Sequence, residues 1–289
     1  MHRLGKASYE KIEPGPGRSF AFRAFDLPAF DSPWHFHPEI ELTLVLEGTG
    51  RRFVGDHIED FQPGDLVLIG AELPHYWHSD PSDPDRAHSL VVQFRPDFLG
   101  SDFFGMPEMD GIGCLLALAG QGISYRGETR ERVSAILRGM EERTPQGQVL
   151  ALLEILNILS QSDEGHSLAT EGFAPTLDTR TEERINRCQA WLFEHLAEPF
   201  RLEDVAEHMN MSPSAFSRYF KKVMGKTFSR FVNELRIGQA CRALLESDQP
   251  IASIAYQAGF NNLSNFNRRF RELRGVSPRQ FRENATVNE

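Results

Sequence analysis

The sequence predicts an α+β protein of two domains, an N-terminal β-barrel with a helical hairpin and an all-α C-terminal domain. A length of 289 residues is typical of two domains. Short apolar stretches separated by glycine and proline fill the first third, whereas helical periodicity with capping residues dominates after residue 180. The composition, 40% hydrophobic and 25% charged, excludes a largely disordered or collagen-like chain.

Five stretches of the first third have the length and composition of β-strands. They are rich in Val, Ile, Leu and Phe, and turn-forming residues such as Pro33, Gly48 and Gly55 separate them. Strands this short and this closely spaced are typical of an all-β barrel or sandwich. The predicted strands are residues 18–27, 40–46, 49–54, 66–69 and 88–95.

Two predicted helices follow the strands and complete an N-terminal domain of residues 1–160. They span residues 128–143 and 148–160, and the Thr-Pro-Gln-Gly sequence at 144–147 separates them. The second helix has too wide an apolar surface for one buried face, so it must be covered on more than one side. Two alternatives follow, which are packing on the barrel and an interface with a second subunit.

Residues 161–180 are polar, lack periodicity and contain two glycines and a proline, which predicts a linker. The last domain, residues 181–289, carries seven predicted helices. Capping residues support these assignments, since Ser212 precedes a first-turn proline and Gly225 ends the same helix. The helices are residues 182–196, 202–209, 214–224, 228–246, 251–258 and 264–274, and a last short helix capped by Ser277-Pro278.

The charge is divided unevenly between the two predicted domains. The whole chain carries a formal net charge of −10, which taken alone argues against nucleic-acid binding because duplex DNA repels an anion. Residues 1–180 hold 15 basic and 28 acidic residues, whereas residues 212–289 hold 13 basic and 6 acidic residues, a net charge of +7. A basic helical module therefore makes the C-terminal residues a nucleic-acid-binding candidate.

Two stretches of the C-terminal domain share one helix-turn-helix pattern. In each, a short helix with one apolar face is followed by a tight turn and a second helix, the kind that enters the DNA major groove. Helical spacing leaves a polar face outward on each second helix, where side chains can contact bases or phosphates. The candidate DNA-binding residues are Ser214, Ser217, Arg218 and Lys221 in the first unit, and Ser264, Asn265, Asn267, Arg268 and Arg271 in the second.

Residues spread over the whole C-terminal domain match one family pattern. They are Leu202-x-x-Val205-Ala206, Met211-Ser212-x-x-x-Phe216-Ser217-Arg218-x-Phe220-Lys221, Gly225, Leu235-Arg236, Ala240, Leu244-Leu245, Pro250-Ile251-x-x-Ile254-Ala255-x-x-x-Gly259-Phe260, Phe266-x-Arg268-x-Phe270-Arg271 and Gly275-x-Ser277-Pro278-x-Gln280-Phe281-Arg282. With these residues the segment 180–282 closely resembles the AraC/XylS-type DNA-binding domain.

This resemblance implies that two helix-turn-helix units, joined by the long helix 228–246, address adjacent major-groove segments. It maps base reading to Ser214, Ser217 and Arg218, and to Ser264, Asn265, Asn267 and Arg268. The implied function is a sequence-specific transcription regulator that responds to an effector and, by default in the family, activates. The implied partners are double-stranded promoter DNA, a small-molecule effector, a second copy of the chain and RNA polymerase, with no membrane.

A polar strand face lies near the start of the N-terminal domain. His35, His37, Glu39, Glu41 and Thr43 alternate with a second set that includes Ile40, Leu42 and Leu44. Periodicity assigns the leucines to the core and leaves the polar face either to solvent or to the wall of a polar pocket.

Two short motifs favour the pocket. The sequence His35-x-His37-x3-Glu41-x6-Gly48 resembles the first cupin motif. The stretch from Pro63-Gly64 to Pro74-His75 resembles the second, although Gly70 and Glu72 depart from its usual proline and glycine. The resemblance implies a small cupin-like β-barrel over about residues 15–105. It also implies a pocket lined by His35, His37, Glu41 and His75.

Three interpretations of this pocket stay open. In metal-binding cupins three histidines and one glutamate converge inside the barrel, and these groups suit a divalent first-row metal. The same side chains can hydrogen-bond a small organic effector, with a sugar or related polar metabolite favoured, or they can form a structural cluster. The nearby aromatic residues Trp34, Tyr76 and Trp77 either stack on a sugar or pack in the core. The rival function is a metal-dependent cupin enzyme, of oxygenase or isomerase type, with an appended DNA-binding module.

Cysteine usage and the absence of targeting segments predict a cytosolic protein. The three cysteines, Cys114, Cys188 and Cys241, are odd in number and form no C-x-x-C pair, so neither a disulfide framework nor a zinc ribbon is indicated. The first 12 residues contain no apolar run of signal-peptide length, and the chain has no run of about 18 apolar residues.

Overall fold

The computed structural model describes residues 12–79, 86–173 and 179–286, and it divides into two compact units, Met1–Ala174 and Pro175–Glu289. The predicted α+β class is confirmed, because the first unit is built on β-sheets and the described residues of the second form helices. The N-terminal residues 1–11 and the linker residues 174–178 lie outside the described residues. No helix among the described residues combines the length and apolar character needed to cross a bilayer.

Two antiparallel sheets form the frame of the N-terminal unit. Its strands are β1 (Phe20–Leu27), β2 (Ile40–Glu47), β3 (Gly50–Val54), β4 (His57–Phe61), β5 (Leu66–Ile69), β6 (His75–Ser79), β7 (Ala87–Phe94), β8 (Ile123–Tyr125) and β9 (Gly165–Ser167). The larger sheet has the spatial order β1-β7-β2-β5-β8-β9, and the smaller sheet has the order β4-β3-β6. All the strand pairs are antiparallel.

The two faces of strand β2 have different surroundings, as its alternation predicts. Leu42 and Leu44 are fully buried on the face that packs against helices. These helices are α1 (Asp110–Leu118), α2 (Gly127–Arg138) and α3 (Pro145–Ser160). On the opposite face Val45 packs with residues of the smaller sheet, including Val54 and Trp77. The polar residues of that face therefore lie between the two sheets.

Several elements are missing from the sequence-based prediction. The five predicted strands are present, but strands β4 and β6 contain few aliphatic residues, and β8 and β9 have only three residues each. Helix α1 is also unpredicted, and α2 ends at Arg138 rather than at 143 because Gly139 takes the C-cap position. Helix α3 begins at Pro145, since the Thr144 hydroxyl accepts a hydrogen bond from the Gly147 N–H and caps the helix.

Residues 161–173, predicted as part of the linker, instead pack on the N-terminal unit. The Glu164 carboxylate accepts hydrogen bonds from the first turn of α2, at 2.7 Å from the Thr129 amide nitrogen. The Asp56 carboxylate accepts both the N–H and the hydroxyl of Thr170, at 2.8 and 2.7 Å. These are long-range contacts, which a local pattern of polar residues and glycines does not reveal.

The C-terminal unit contains the predicted helices in the predicted order. They are α4 (Thr179–His195), α5 (Leu202–His208), α6 (Pro213–Met224), α7 (Phe228–Glu246), α8 (Ile251–Gln257), α9 (Leu263–Arg274) and α10 (Pro278–Thr286). Helices α5 and α6 form one helix-turn-helix unit and α8 and α9 form the other, with α7 between them. Buried phenylalanines hold both units, with Phe216 and Phe220 on α6 and Phe266 and Phe270 on α9.

Helices α6 and α9 begin and end in the same way. The Ser212 hydroxyl accepts the Ala215 N–H at the start of α6, and the Asn262 amide oxygen accepts the Asn265 N–H at the start of α9. Each helix ends at a glycine in the left-handed region, Gly225 with φ of 68° and Gly275 with φ of 74°. The N-cap and the left-handed C-cap therefore fix the length of each second helix.

Candidate functional site

The histidine and glutamate residues that the sequence predicts as a pocket come together between the two sheets. The ring centroids of His35 and His75 are 4.4 Å apart, and those of His37 and His75 are 5.1 Å apart. One ring nitrogen from each of the three histidines lies within 4.8 Å of the other two. The Glu41 carboxylate is adjacent, with one oxygen 3.1 Å from Nε2 of His37 and 3.6 Å from Nε2 of His75.

Long-range pairing brings His75 to this position. The backbone N–H groups and carbonyls of His35 and His75 pair reciprocally, at 3.2 and 2.9 Å, in an isolated antiparallel bridge. Strand β2 begins only at Ile40, so the predicted continuous strand face from His35 to Thr43 is wrong in its first half. Glu39 lies in the bend before that strand, with a carboxylate oxygen 3.8 Å from Nδ1 of His37.

Each of the three imidazoles has its Nδ1 atom directed at a backbone carbonyl. The distances are 2.7 Å from His35 to Pro33 O, 3.1 Å from His37 to Glu39 O, and 2.8 Å from His75 to Leu73 O. A carbonyl only accepts, so Nδ1 carries the proton in each hydrogen bond. A neutral ring of this tautomer carries its lone pair on Nε2, as in histidines that bind metals, whereas a protonated His37 ring donates from Nε2 to the Glu41 carboxylate at 3.1 Å.

Two polar side chains hold the Glu41 carboxylate in place. The Thr43 hydroxyl donates to one oxygen at 2.7 Å, and the Gln93 amide donates to the other at 2.8 Å. Gln93 lies on β7 directly opposite Glu41 in the strand register. The sequence reasoning missed Gln93, although a lone glutamine on the inner face of an apolar strand is a signal that could have identified it.

Burial and neighbouring groups set the protonation of the cluster. Burial, reinforced by the nearby His75, lowers the pKa of His35 to about 3, so this ring is neutral near neutral pH. Burial by itself would raise the pKa of Glu41, but His75 and the hydrogen bond from His37 outweigh it, and the pKa falls well below its usual range. The neutral His35 ring and the ionised Glu41 carboxylate are therefore in the protonation states that metal binding requires.

The donor set fits a divalent first-row transition metal. Ring nitrogens of three histidines and a carboxylate converge in a buried space, and Nε2 of His75 has no hydrogen-bond partner among the described residues. Acceptors facing one another repel unless a cation or a proton lies between them. His35, His37, Glu41 and His75 would hold the metal, which suits nitrogen and oxygen ligands of this kind.

The three aromatic residues named with the pocket are buried. Trp34 is buried, Trp77 belongs to the apolar cluster between the sheets, and Tyr76 stacks on Phe53 with ring centroids 4.1 Å apart. Of the three, Trp77 is near the histidines, at 6.0 Å between its ring centroid and that of His75. Core packing therefore accounts for Tyr76, and Trp77 adjoins the histidine cluster.

The predicted DNA-contacting residues of the first unit lie on the outer side of α6. Ser214, Arg218 and Lys221 are exposed and Ser217 is half-buried, while the facing residues Phe216, Phe220 and Val223 are buried. Tyr219 is partly exposed and donates its hydroxyl to the Thr181 carbonyl at 2.9 Å. The amphipathic division of this helix therefore leaves a basic and hydroxyl-bearing face open.

The second unit presents a more elaborate polar surface on α9. Ser264, Asn267, Arg268 and Arg271 are exposed, and together with Glu272 they line one surface depression. Asn265 is half-buried, and its amide oxygen accepts a hydrogen bond from Arg268 at 3.0 Å. Arginine and asparagine are the side chains that read guanine and adenine in the major groove. This face therefore has the chemistry of a base-reading surface.

Comparisons with known proteins match both units. The model of the AraC-like ligand binding domain matches residues 19–175, and a helix-turn-helix domain model matches residues 205–284. The HTH-type transcriptional activator RhaS of Salmonella typhimurium is 28% identical over 265 residues, which are 89% of this chain and 90% of that protein. The activator RhaR of Klebsiella pneumoniae is 28% identical over 262 residues, 87% of each chain.

Among solved structures, the DNA-binding domain of AdpA in complex with a target DNA is 30% identical, with a TM-score of 0.34, and the match covers 35% of this chain and 92% of that one. The ligand-binding model alone spans more than half of the chain, and the helix-turn-helix model follows it in the family's order. The chain therefore belongs to the AraC family of DNA-binding transcription regulators.

Proposed function

We propose that this regulator is effector-responsive, and that the effector acts at the cluster of His35, His37, Glu41 and His75. The observation that carries the proposal is the convergence of four buried, ligand-type side chains inside a domain of the AraC-like ligand-binding family. A buried polar cluster of this kind is costly unless its groups are paired. A ligand that pairs them in one conformation of the chain shifts the population toward that conformation.

A divalent metal held by these four residues is the first part of the proposed ligand. Once bound, such a metal would supply coordination positions to the oxygen atoms of a small polar molecule. The chain's own residues set up the site, since Thr43 and Gln93 orient Glu41 and three backbone carbonyls orient the rings. A sugar or a related polar metabolite is the proposed second part, because hydroxyl and carboxylate oxygens suit both the metal and the buried amide of Gln93.

The proposed DNA contacts follow the exposed faces of α6 and α9. We infer that Arg268, Asn265 and Asn267 read bases, because Arg268 and Asn267 are exposed with Ser264 and Arg271 on one face of α9 and Asn265 hydrogen-bonds Arg268. The serines of α6, Ser214 and Ser217, together with Arg218 and Lys221, suit contacts with phosphates. We propose that the two units bind adjacent major-groove segments about one helical turn apart.

Activation and dimerisation complete the proposed function. The relatives RhaS and RhaR are transcriptional activators, which supports activation with RNA polymerase as the further partner. Most apolar residues of α3 are buried in the core that α1, α2 and the larger sheet share, but Leu150 is 65% exposed, and Leu118 of the adjoining α1 is also exposed. We propose that this strip contacts a second copy of the chain.

A metal-dependent enzyme with an appended DNA-binding module is the alternative. The curated relatives are transcription regulators, which supports a sensory role for the cluster and no catalytic turnover. A chelator-sensitive catalytic activity of the purified protein would favour the enzyme. A chelator-insensitive protein that protects a promoter site would leave the enzyme without support.

The experiment is a metal analysis of the purified protein followed by a thermal-shift screen of sugars and organic acids, with and without chelator. We expect one divalent metal per chain. We also expect one class of ligand to raise the unfolding temperature of the N-terminal unit, and the chelator to reduce this increase. Ligand at 100 times its dissociation constant stabilises by about 2.7 kcal/mol. A metal-free protein that no compound stabilises would contradict the proposed sensor.

A further inference from the structure

Helices α6 and α9 correspond residue by residue, with an offset of 50 positions. Phe216 corresponds to Phe266 and Phe220 to Phe270, and all four side chains are fully buried. The left-handed glycines that end the two helices correspond as well. In this alignment the exposed Arg218 of the first unit corresponds to the exposed Arg268 of the second.

The two arginines have different neighbours on their helices. Arg268 donates from one nitrogen to the Asn265 amide oxygen at 3.0 Å, and its other terminal nitrogen lies 3.5 Å from a Glu272 carboxylate oxygen. At the positions corresponding to Asn265 and Glu272, the first unit has Ala215 and Lys222. Neither of these side chains accepts a hydrogen bond from a guanidinium group.

Glu272 is itself held from the other side. Its second carboxylate oxygen accepts a hydrogen bond from Arg269 at 2.7 Å. It lines the same surface depression as Ser264, Asn267, Arg268 and Arg271. The carboxylate is therefore fixed on the proposed DNA-reading face, where it is the one acidic group among the residues lining this depression.

A carboxylate at this position has two physical consequences. It limits the rotamers of Arg268, and a planar guanidinium that is already oriented loses less freedom when it binds a base bidentately. It also places a negative charge near the DNA backbone, where it opposes phosphates. Contacts with arbitrary sequence are therefore penalised, whereas a guanine that pairs with Arg268 offsets the repulsion.

We propose that Glu272 is a specificity-determining positioning residue, and that sequence discrimination is concentrated in the second helix-turn-helix unit. The first unit, in which Arg218 is followed by Lys221 and Lys222, binds the phosphate backbone and contributes affinity without selection. This inference rests on the proposed insertion of α9 into the major groove.

The test uses the full chain and a duplex library with a randomised central segment, followed by competition between the selected duplex and a scrambled duplex. Two exposed positions give a matched pair of variants, Glu272→Gln and Lys222→Gln, which correspond in the two units. For Glu272→Gln we expect tighter binding to the scrambled duplex and a selected-to-scrambled affinity ratio lower by about tenfold. For Lys222→Gln we expect weaker binding to both duplexes and an unchanged affinity ratio. The slope of the logarithm of the binding constant against the logarithm of the salt concentration should fall in magnitude by about 1.

The outcomes separate this inference from the proposed function. If the unmodified chain enriches no sequence, the proposed base reading itself fails, and the inference fails with it. If the unmodified chain enriches a sequence and Glu272→Gln keeps the same ratio, only the role of Glu272 is overturned. If Lys222→Gln lowers the selected-to-scrambled affinity ratio as much as Glu272→Gln does, the proposal that the second unit provides most of the sequence discrimination is also overturned.

Discussion

Among single residues, the three histidines of the N-terminal unit are the most informative, because the Nδ1 atom of each ring points at a backbone carbonyl. A histidine buried for packing alone needs partners for both ring nitrogens. Here three backbone carbonyls take the Nδ1 protons, and the Nε2 atom of His75 has no hydrogen-bond partner among the residues that the structure describes. A cation or a polar ligand against Nε2 of His75 would supply the partner that this nitrogen lacks.

The variant His37→Ala should remove the bound metal and the effector response while it leaves DNA binding intact. His37 lies in the N-terminal unit and contacts Glu41 at 3.1 Å, far along the chain from the helix-turn-helix units. The measurements are metal content, effector-induced thermal shift and affinity for a selected duplex. His166→Ala is the control, because His166 is an exposed histidine of the same unit. Unchanged induction in a reporter assay would place the effector site elsewhere.

The variant Arg268→Ala should weaken binding to the cognate duplex by about 1–3 kcal/mol and relax base preference at one position. The reason is the loss of a guanidinium that Asn265 and Glu272 orient on the exposed face of α9. Competition binding on cognate and random duplexes measures the effect, with the exposed Arg138→Ala of the N-terminal unit as the control. Equal losses on the two duplexes would make Arg268 a phosphate contact.

At the scale of elements, the sequence predicts the C-terminal unit more completely than the N-terminal one. Helices α6 and α9 have a clear apolar period, and capping residues such as Ser212 and Gly225 mark helix ends locally. Strand β6 has neither property, because its sequence HYWHS mixes polar and aromatic residues. His75 enters the predicted site only through the motif resemblance, since the bridge that joins it to His35 spans 40 positions of the chain.

Two other features of the N-terminal unit depend on contacts between residues far apart in the chain, which a local sequence pattern does not show. Gln93 reaches Glu41 because β7 and β2 pair in one particular register. Residues 161–173 pack on the N-terminal unit because Glu164 accepts a hydrogen bond from Thr129, and Asp56, in the turn between β3 and β4, accepts hydrogen bonds from Thr170. A sequence pattern shows which residues are polar, but it does not show which distant groups satisfy them.

The turn between α8 and α9 gives a prediction about the helix-turn-helix geometry. A Cβ atom at Gly259, where φ is +83°, would lie 2.5 Å from the Leu196 carbonyl oxygen and 2.8 Å from Nε of Arg236. Gly259→Ala should therefore destabilise the C-terminal unit by about 1–3 kcal/mol beyond the backbone strain itself. Gly275→Ala is the matched control, because Gly275 has a φ of +74° and no atom lies within 4 Å of its added Cβ.

Denaturant unfolding of the two glycine variants measures the difference. Gly275→Ala should cost only the left-handed strain of an alanine, about 1 kcal/mol. Equal costs for both substitutions would show that the close approach of Leu196 and Arg236 to this turn is absent in solution.

At the scale of the whole molecule, the distribution of charge matters more than its sum. The net charge of −10 argues against DNA binding, yet the last 78 residues, which include both second helices of the helix-turn-helix units, carry a net charge of +7. The excess of acidic residues lies in the N-terminal 180 residues, which hold 28 acidic and 15 basic side chains. We therefore expect the acidic N-terminal unit to oppose non-specific association with DNA while the basic unit binds it.

Deleting the N-terminal unit, Met1–Ala174, should raise the affinity for random-sequence duplex at low salt. The expected cause is the loss of long-range repulsion between the acidic residues and the DNA phosphates. The difference should disappear at about 1 M salt, where the Debye length falls to about 3 Å. Equal affinities of the fragment and the full chain at low salt would refute the repulsion.

We propose that occupancy of the His35, His37, Glu41 and His75 cluster changes how the helical unit binds DNA. The most direct measurement is the affinity of the full chain for one selected duplex, before and after the metal is removed with a chelator. A coupling of 1–3 kcal/mol predicts a change of about 5-fold to 150-fold in the dissociation constant. It also predicts that His37→Ala does not respond to chelation. Identical affinities with and without metal would contradict the coupling.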